Sequence, residues 1–543
     1  GLAELVFQNL WKVNELKLPI GVHHGSLSLE ARRRAEQAMA DGKLRALVAT
    51  ASLDLGVDWG DVDCVIQMGA PKGSSRLLQP IGRANHRLDE PSEAVLVPGN
   101  RFEYLEARAA LDAVEQGELD PDSFRPGALD VLAQHVMGVA CAAPFDAAIL
   151  LREVQGALPY SALTEEVFGY VLNFIADGGY SLRAYDRFKR LTQDKDGLWR
   201  VTKPGFIAQH RLNAGIIVEA PMLEVRFKNG RRLGRVEEAF GSSLSPGDRF
   251  FFAGLALEVE RIELTDVIVR ATSKQARFVS YMGARLAITS TLAERVRRFF
   301  ADPAEWQRFP DDVREWLEVQ AYRSRLPAPG RLLVETFPHE GRHHMVAYCF
   351  EGWNAHQSLG MLVTRRMEAM GLNPIGFVAN DYALAVYGLE KIEDPAPLFS
   401  PDILEHEFVD WVQGSALLKR AFREVAIIGG LVERQQPGKK KTGRQVTFST
   451  DLIYDVLRKY EPDHLLLKAA WADARARMTD VGRLARLLDT AADMIEHVDL
   501  PRVSPMAVPV LIMIGRESVA QGAVEDELLI EAEALAAEAM RID

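Results

Sequence analysis

Cysteine is nearly absent: the 543 residues hold three, Cys64, Cys141 and Cys349, far apart and with no C-x-x-C pair. That excludes a disulfide framework and a cysteine-built zinc site, and it fits a reducing compartment. Long apolar runs are missing too. The best candidate, Val508–Ile514, falls far short of the roughly 20 residues a membrane helix needs, so no membrane partner is expected. No leader of basic then apolar residues opens the chain, and a cytoplasmic location is expected. Positive charge is not in excess. The 64 Lys and Arg face 76 Asp and Glu, a formal net charge of -12, which argues against indiscriminate coating of nucleic acid but leaves local basic patches open. Neither G-x-x-x-x-G-K-[ST] nor an Asp-Glu-x-His box occurs. Pro437-Gly-Lys-Lys-Lys-Thr-Gly443 imitates the first, but it lacks the upstream Gly and does not follow a buried strand.

What remains is ordinary for globular protein: 48% hydrophobic and 26% charged residues, over a length that predicts three or four domains. The chain opens within a helical pattern and without an initiator Met, and is read as a fragment of a longer protein. Up to about residue 110, helical spacing (Ala3–Leu16, Ser28–Ala40) alternates with short apolar runs (Ile20–His23, Leu44–Ala49, Cys64–Gln67, Ala94–Val97). That alternation predicts a parallel α/β sheet. Helices are predicted at Leu129–Ala142, Asp146–Glu153 and Thr164–Ala176, followed by turns at Asp177 and Asp194 that close a small wing. Leu223–Phe227, Arg232–Val236, Arg249–Phe252, Leu255–Ile262 and Val267–Ala271 read as strands, split by Asn229-Gly and Ser245-Pro-Gly-Asp turns. Five short strands at this spacing predict a small β-barrel. Mixed α and β follows to about 520. The tail, 523–543, has seven acidic residues and one Arg, and is expected to be a solvated helix.

Three motifs carry chemistry in the first domain. Val22-His-His-Gly-Ser-Leu-Ser28 places Gly25 and Ser26 at a strand end, where a phosphate can approach backbone and hydroxyl donors; a simple helix cap uses the same residues. Leu47-Val-Ala-Thr-Ala-Ser-Leu-Asp-Leu-Gly-Val-Asp-Trp59 brings Thr50 to the carboxyl end of the sheet, with Gly56 and Asp58 just beyond; a capping turn is the plainer alternative. Gln79-Pro-Ile-Gly-Arg-Ala-Asn-His-Arg87 sets Arg83, His86 and Arg87 on one helical face. Paired guanidiniums beside a Gly suit stabilisation of a transferring phosphoryl group, although a solvated basic face reads the same way.

In this order and spacing the three resemble motifs IV, V and VI of the second RecA-like domain of superfamily 2 helicases. Gly69-Ala-Pro-Lys and Ala84-Asn-His-Arg-Leu-Asp resemble the large helicase-related (Lhr) family, its bacterial ligase-associated branch fitting best. So do Asp130-Val-Leu-Ala-Gln-His135, Phe350-Glu-Gly, Gly376-Phe-Val-Ala-Asn-Asp-Tyr382 and Lys441-Thr-Gly-Arg-Gln-Val-Thr-Phe448. The resemblance implies a multidomain α/β protein: a RecA-like parallel-sheet domain (1–112), a winged helix (113–215), a small β-barrel (216–291), a mixed α+β C-terminal domain (292–522) and the acidic tail (523–543). It implies that Gly25, Ser26 and Thr50 touch the tracking strand. Gly56, Asp58 and His86 would lie at bound ATP, with Gln79, Arg83 and Arg87 completing catalysis and Arg83 acting as arginine finger. The Mg2+ ligands would belong to a first motor domain that this chain lacks. Pro80 departs from the pattern, because the family usually has Arg there and Pro can make no charged contact.

Two basic patches fit a strand-guiding surface. Arg226–Arg235 holds five cations, among them Arg231 and Arg232, and Leu417–Gln445 holds eight, including Lys440 and Arg444 on a predicted loop. Solvated surface charge is the alternative for each. Trp306, Trp316 and Trp353 are candidates for base stacking, Trp316 sitting in a core-like helical pattern. His339-Glu-Gly-Arg-His343 matches H-E-x-x-H, but Pro338 and Gly341 predict a turn between strands and no metal site. The resemblance therefore implies an ATP-dependent helicase of DNA repair, moving 3′ to 5′ on single-stranded DNA and unwinding duplex or RNA–DNA hybrid. ATP-dependent DNA ligase and exonuclease repair proteins are its expected associates. A non-catalytic nucleic-acid-binding platform is the alternative.

Overall fold

The structure is a computed structural model. It describes the whole chain except residues 1, 51–61, 83, 85–90, 121–124, 219–221, 238–243, 253–254, 264–265, 274–276, 279–285, 406–407, 409–415, 437, 442, 479, 492–493, 520–524 and 543. It divides into two compact units, each assembled from three separate stretches. One comprises Gly1–Gly60, Asp122–Gly283 and Ser415–Ala474; the other comprises Asp61–Pro121, Ala284–Gly414 and Arg475–Asp543. No helix among the described residues is long and apolar enough to cross a membrane.

In the first unit, strands Ile20–His23 and Ala46–Ala49 pair in parallel. Helix Leu29–Ala40 connects them, its first turn capped by Ser28 Oγ accepting from the Ala31 amide at 3.2 Å. Helices Leu129–Ala142, Ala147–Gln155 and Glu165–Asp177 start at caps made by residue 128, Asp146 and Thr164, the last two through their side chains. A wing follows, Leu191–Gln193 against Trp199–Val201. Its turn is held by Asp194, whose carboxylate accepts from the amides of Asp196 and Leu198 at 3.0 Å each. Helix Gly205–Asn213, which the sequence reading did not assign, completes this region. Residues 416–473 pack on it as helices Ala416–Ile428, Gly443–Tyr460 and Leu465–Asp473. Arg190, buried, donates to the carbonyls of Gly429 and Gly430 (3.2 and 3.1 Å) at the end of the first of these helices.

The predicted barrel strands all form, within a residue of their expected ends, and the described residues show no pairing that closes them into a barrel. Among the described residues six strands lie in the order Arg277–Phe278, Arg249–Phe252, Leu255–Ile262, Asp266–Ala271, Met222–Phe227, Arg232–Glu237, with no pairing between the outermost two. A barrel needs its edge strands to hydrogen-bond each other. Here Arg232–Glu237 instead forms a bridge from Gly234 to Leu27. One side of the sheet buries Val225, Leu233, Val236, Phe250, Phe252, Leu257 and Val267.

In the second unit, Cys64–Met68 and Glu93–Val97 form another parallel pair. Both pairs are parallel, as the sequence predicts for the strands of the first domain. Helices Arg101–Glu115, Ser290–Ala301 and Asp311–Arg323 surround an aromatic core of Phe102, Phe300, Trp316, Phe350 and Tyr382. Beside it runs a five-stranded sheet, Pro374–Ala379, Leu384–Gly388, Arg342–Ala347, Leu332–His339 and Ile495–Asp499, antiparallel apart from the final pair. The acidic tail is not simply solvated. Helix Glu525–Met540 buries Ala539 completely and packs Leu535, Ala536 and Met540 on this core, because these four recur at helical spacing on one face.

Candidate nucleic-acid interface and motor residues

The carboxyl end of the first parallel pair gathers three predicted contacts. His23 and His24 are buried and bonded to Glu36 (2.9 Å) and Glu4 (2.8 Å), which fixes the backbone leading into the loop. Thr50 follows the neighbouring strand, and its amide donates to the His23 carbonyl at 3.3 Å. Gly25 is exposed, and a Cβ there would meet nothing within 4 Å, so the loop faces open space. Ser26 turns its carbonyl to the Arg235 amide (2.8 Å), and Ser28 donates to Leu233 O (3.3 Å). Gly234 makes this docking possible. Its φ is +155°, and a Cβ there would lie 2.0 Å from Ser26 O.

The docked strand belongs to the basic hairpin, so the loop and the cations form one surface. They are not equivalent. Arg226 is held by Asp266 (2.8 Å) and Glu263 (3.2 Å), and Arg232 reaches Glu224 at 3.3 Å. Arg231 is exposed, 5.9 Å over the Phe227 ring. Lys228 and Arg235 are exposed with no ion pair among the described residues, and Arg235 stands directly beside Ser26. The second patch is not a loop: Lys439–Lys440 pairs with Gln435–Gln436 around Gly438, and Arg444 falls in the first turn of helix Gly443–Tyr460. Two residues on either side of a left-handed glycine suffice for a hairpin.

Gln79 lies exposed in the last turn of helix Ser74–Ile81, with Pro80 beside it. Gly56, Asp58, Arg83, His86 and Arg87 lie outside the described residues. A cluster the sequence reading did not assemble sits at the start of that helix. Lys72 Nζ is 3.1 Å from Glu106 and 2.8 Å from Asp381, and the Tyr382 hydroxyl donates to Glu106 at 2.5 Å. Burial pulls the Lys72 ammonium down, but its two carboxylates outweigh that and raise it. Burial pushes Glu106 up against the pull of the one ammonium it shares with Asp381. The only signal in the sequence was that Lys72 closes one motif resembling the family, and Asp381 and Tyr382 end another.

Close by, His356 is fully buried. Its Nε2 accepts from the Glu351 amide at 3.0 Å, so Nδ1 carries the proton donated to Asn380 O at 2.6 Å. Burial holds it down to about 4, the Asn380 bond and the nearby Glu351 and Asp381 opposing. His344, between the rings of Phe337 and Tyr387, is likewise held by burial to about 4. An unfolded His titrates near ~6.5. Below that pH the unfolded chain binds protons the folded chain does not, so stability falls as pH drops from 6.5 towards 4. Each group contributes at most about 1.4 kcal/mol per pH unit. Urea midpoints measured across this window should fall, and His356→Gln should remove about one proton from the slope. An unchanged slope would place the imidazole in water.

Two other features resolve plainly. His339 and His343 lie on adjoining strands, His339 opposite Arg342 and His343 opposite Pro338, so they point to opposite faces of the sheet. No metal-binding group occurs among the described residues. Trp306 and Trp316 are buried, the former donating to Phe299 O at 2.7 Å, which removes both as stacking surfaces. Trp353 is half-buried at its helix start, its amide bonded to Asp381 at 3.0 Å.

Three family descriptions match in order along the chain: the helicase conserved C-terminal domain over residues 3–87, the large helicase-related protein winged helix domain over 112–279, and the DEAD/H associated domain over 326–507. The chain belongs to the Lhr family. The ATP-dependent helicase Lhr-Core protein 2 of Thermococcus barophilus is 28% identical, covering 85% of this chain and 56% of that protein. The ATP-dependent helicase Lhr-Core of Methanocaldococcus jannaschii is 26% identical, covering 91% and 60%. A solved structure of Mycobacterium smegmatis helicase Lhr bound to ssDNA and AMP-PNP superposes with a TM-score of 0.70 at 27% identity, covering 94% of this chain and 65% of that one. The chain thus spans a little over half the length of these Lhr-Core relatives.

Proposed function

We propose that this chain is the arginine-bearing half-motor and strand platform of an ATP-dependent Lhr helicase that acts in DNA repair. It would move 3′ to 5′ on single-stranded DNA and open duplex or RNA–DNA hybrid. The observation that carries this reading is the convergence of Gly25, Ser26 and Thr50 at one sheet end with Arg235 docked beside them. The relatives' names and the strand-bound Lhr structure support it. A phosphodiester strand would lie along this edge, with backbone amides and hydroxyls positioning it and cations releasing its counterions.

Bound ATP with Mg2+ would supply the phosphoryl group and its charge neutralisation. Gln79 would present its amide from the exposed end of its helix, and Arg83 and Arg87 would stabilise charge on the transferring group. The test is complementation. Alone, the chain should bind single strands and hydrolyse no ATP; joined to a first motor domain carrying the two missing motifs, it should hydrolyse ATP when strand is added. Strand binding with no hydrolysis in either form would make the chain a platform only.

A further inference from the structure

Helix Ser74–Ile81 carries Gln79 and leads, through Gly82, to Arg83, yet it is poorly equipped to hold itself. It has eight residues, its N-cap is Gly73 with no side-chain bond, and Pro80 removes an amide from its last turn. Its start is instead fastened from outside. Asp120 supplies the missing cap, accepting from the Ser75 amide at 2.9 Å, while its own amide donates to Ser75 Oγ at 3.1 Å. The other Asp120 oxygen accepts from Thr289 Oγ1 at 2.6 Å, and the Thr289 amide donates to Lys72 O at 3.0 Å. Arg76 donates to Ala287 O at 2.8 Å. Lys72 anchors the preceding turn on Glu106 and on Asp381, whose second oxygen accepts from the first amide of helix Trp353–Ala369. The approach is so close that a Cβ at Gly73 would lie 2.7 Å from Asp120 Oδ2.

We propose that Lys72 and Asp120 are positioning residues for phosphoryl transfer: through them Asp381 and Thr289 set the helix that carries Gln79 and leads to Arg83. This rests on the helicase reading above. A short helix fastened only at its start takes its orientation from that start, so loosening it displaces Gln79 and the Gly82 that leads to Arg83. Misplacement of a reacting group by about 1 Å costs on the order of 100-fold in rate.

The experiment is a double-mutant cycle in the complemented, two-domain motor. Asp120→Ala and Lys72→Met should each lower strand-stimulated kcat by about 10–100-fold, with KM for ATP nearly unchanged. Asp120→Asn, which keeps an acceptor, should recover part of the loss. On an Arg83→Ala background the same substitutions should change the rate less than about 2-fold, because they act through that arginine. Equal losses on both backgrounds would reduce the cluster to a structural role and overturn the proposal, while leaving the helicase reading intact. No hydrolysis by the complemented wild-type chain would overturn both. Thr289→Val, which deletes one bond to Asp120, keeps the test available if Asp120→Ala does not fold; it should show the same non-additivity.

Discussion

Phe102→Ala should destabilise the second unit by about 3–5 kcal/mol, the range for removing a buried aromatic ring. Phe102 is 1% exposed and sits at the centre of the aromatic core. Its ring stacks on Tyr382 at 4.7 Å and meets Trp316 edge-on at 5.1 Å and Phe300 at 6.0 Å. It comes from helix Arg101–Glu115, so its loss uncouples that helix from residues 290–323 and from the sheet carrying Tyr382. Such packing relaxes poorly, and the cavity adds to the lost transfer energy. With two compact units, unfolding should not be a single two-state step. Hydrogen exchange followed by peptide is therefore the measurement. Protection should fall in 101–115, 290–323 and 374–388, and be retained in the winged helix. A loss under about 1 kcal/mol in those peptides would mean the ring is not at the centre of a packed core.

Arg83→Ala should cost about a thousandfold or more in strand-stimulated ATP hydrolysis by the complemented motor, as removal of an arginine finger does. Strand affinity should change little, because the strand contacts proposed above lie on Gly25, Ser26, Thr50 and the basic hairpin. Arg83→Lys should recover only a minor part, since an ammonium cannot reproduce a planar bidentate donor. Steady-state kcat and a strand-binding titration on the same preparation separate the two effects. A variant keeping more than about a tenth of wild-type kcat would remove Arg83 from the transition state.

Much of the local structure was legible in the residues. Leu129–Ala142, Ile20–His23 and Leu255–Ile262 form with the ends predicted, because an apolar period of 3.6 or a short apolar run between turn residues is a local property. The wing turn at Asp194 and the turn inside His339–His343 follow from residues that accept those backbone angles. The family was legible for a related reason: its motifs are residue types at fixed spacing along the chain, which the sequence displays directly.

Other facts depend on partners distant in sequence. Nothing local shows that Gly234 receives Ser26, so that the end strand of the sheet docks on the loop after the first strand. Nothing local separates Arg226, held by carboxylates some 40 residues away, from Arg235, which is not. The packing of 416–473 on the winged helix, the docking of the acidic tail and the capping of Ser75 by Asp120 are of the same kind. The sequence by itself determined most of the elements and the family. Tertiary structure alone decided which cations face solvent and what holds the helix carrying Gln79, because ion pairs and caps are settled by proximity in space, to which spacing along the chain is blind.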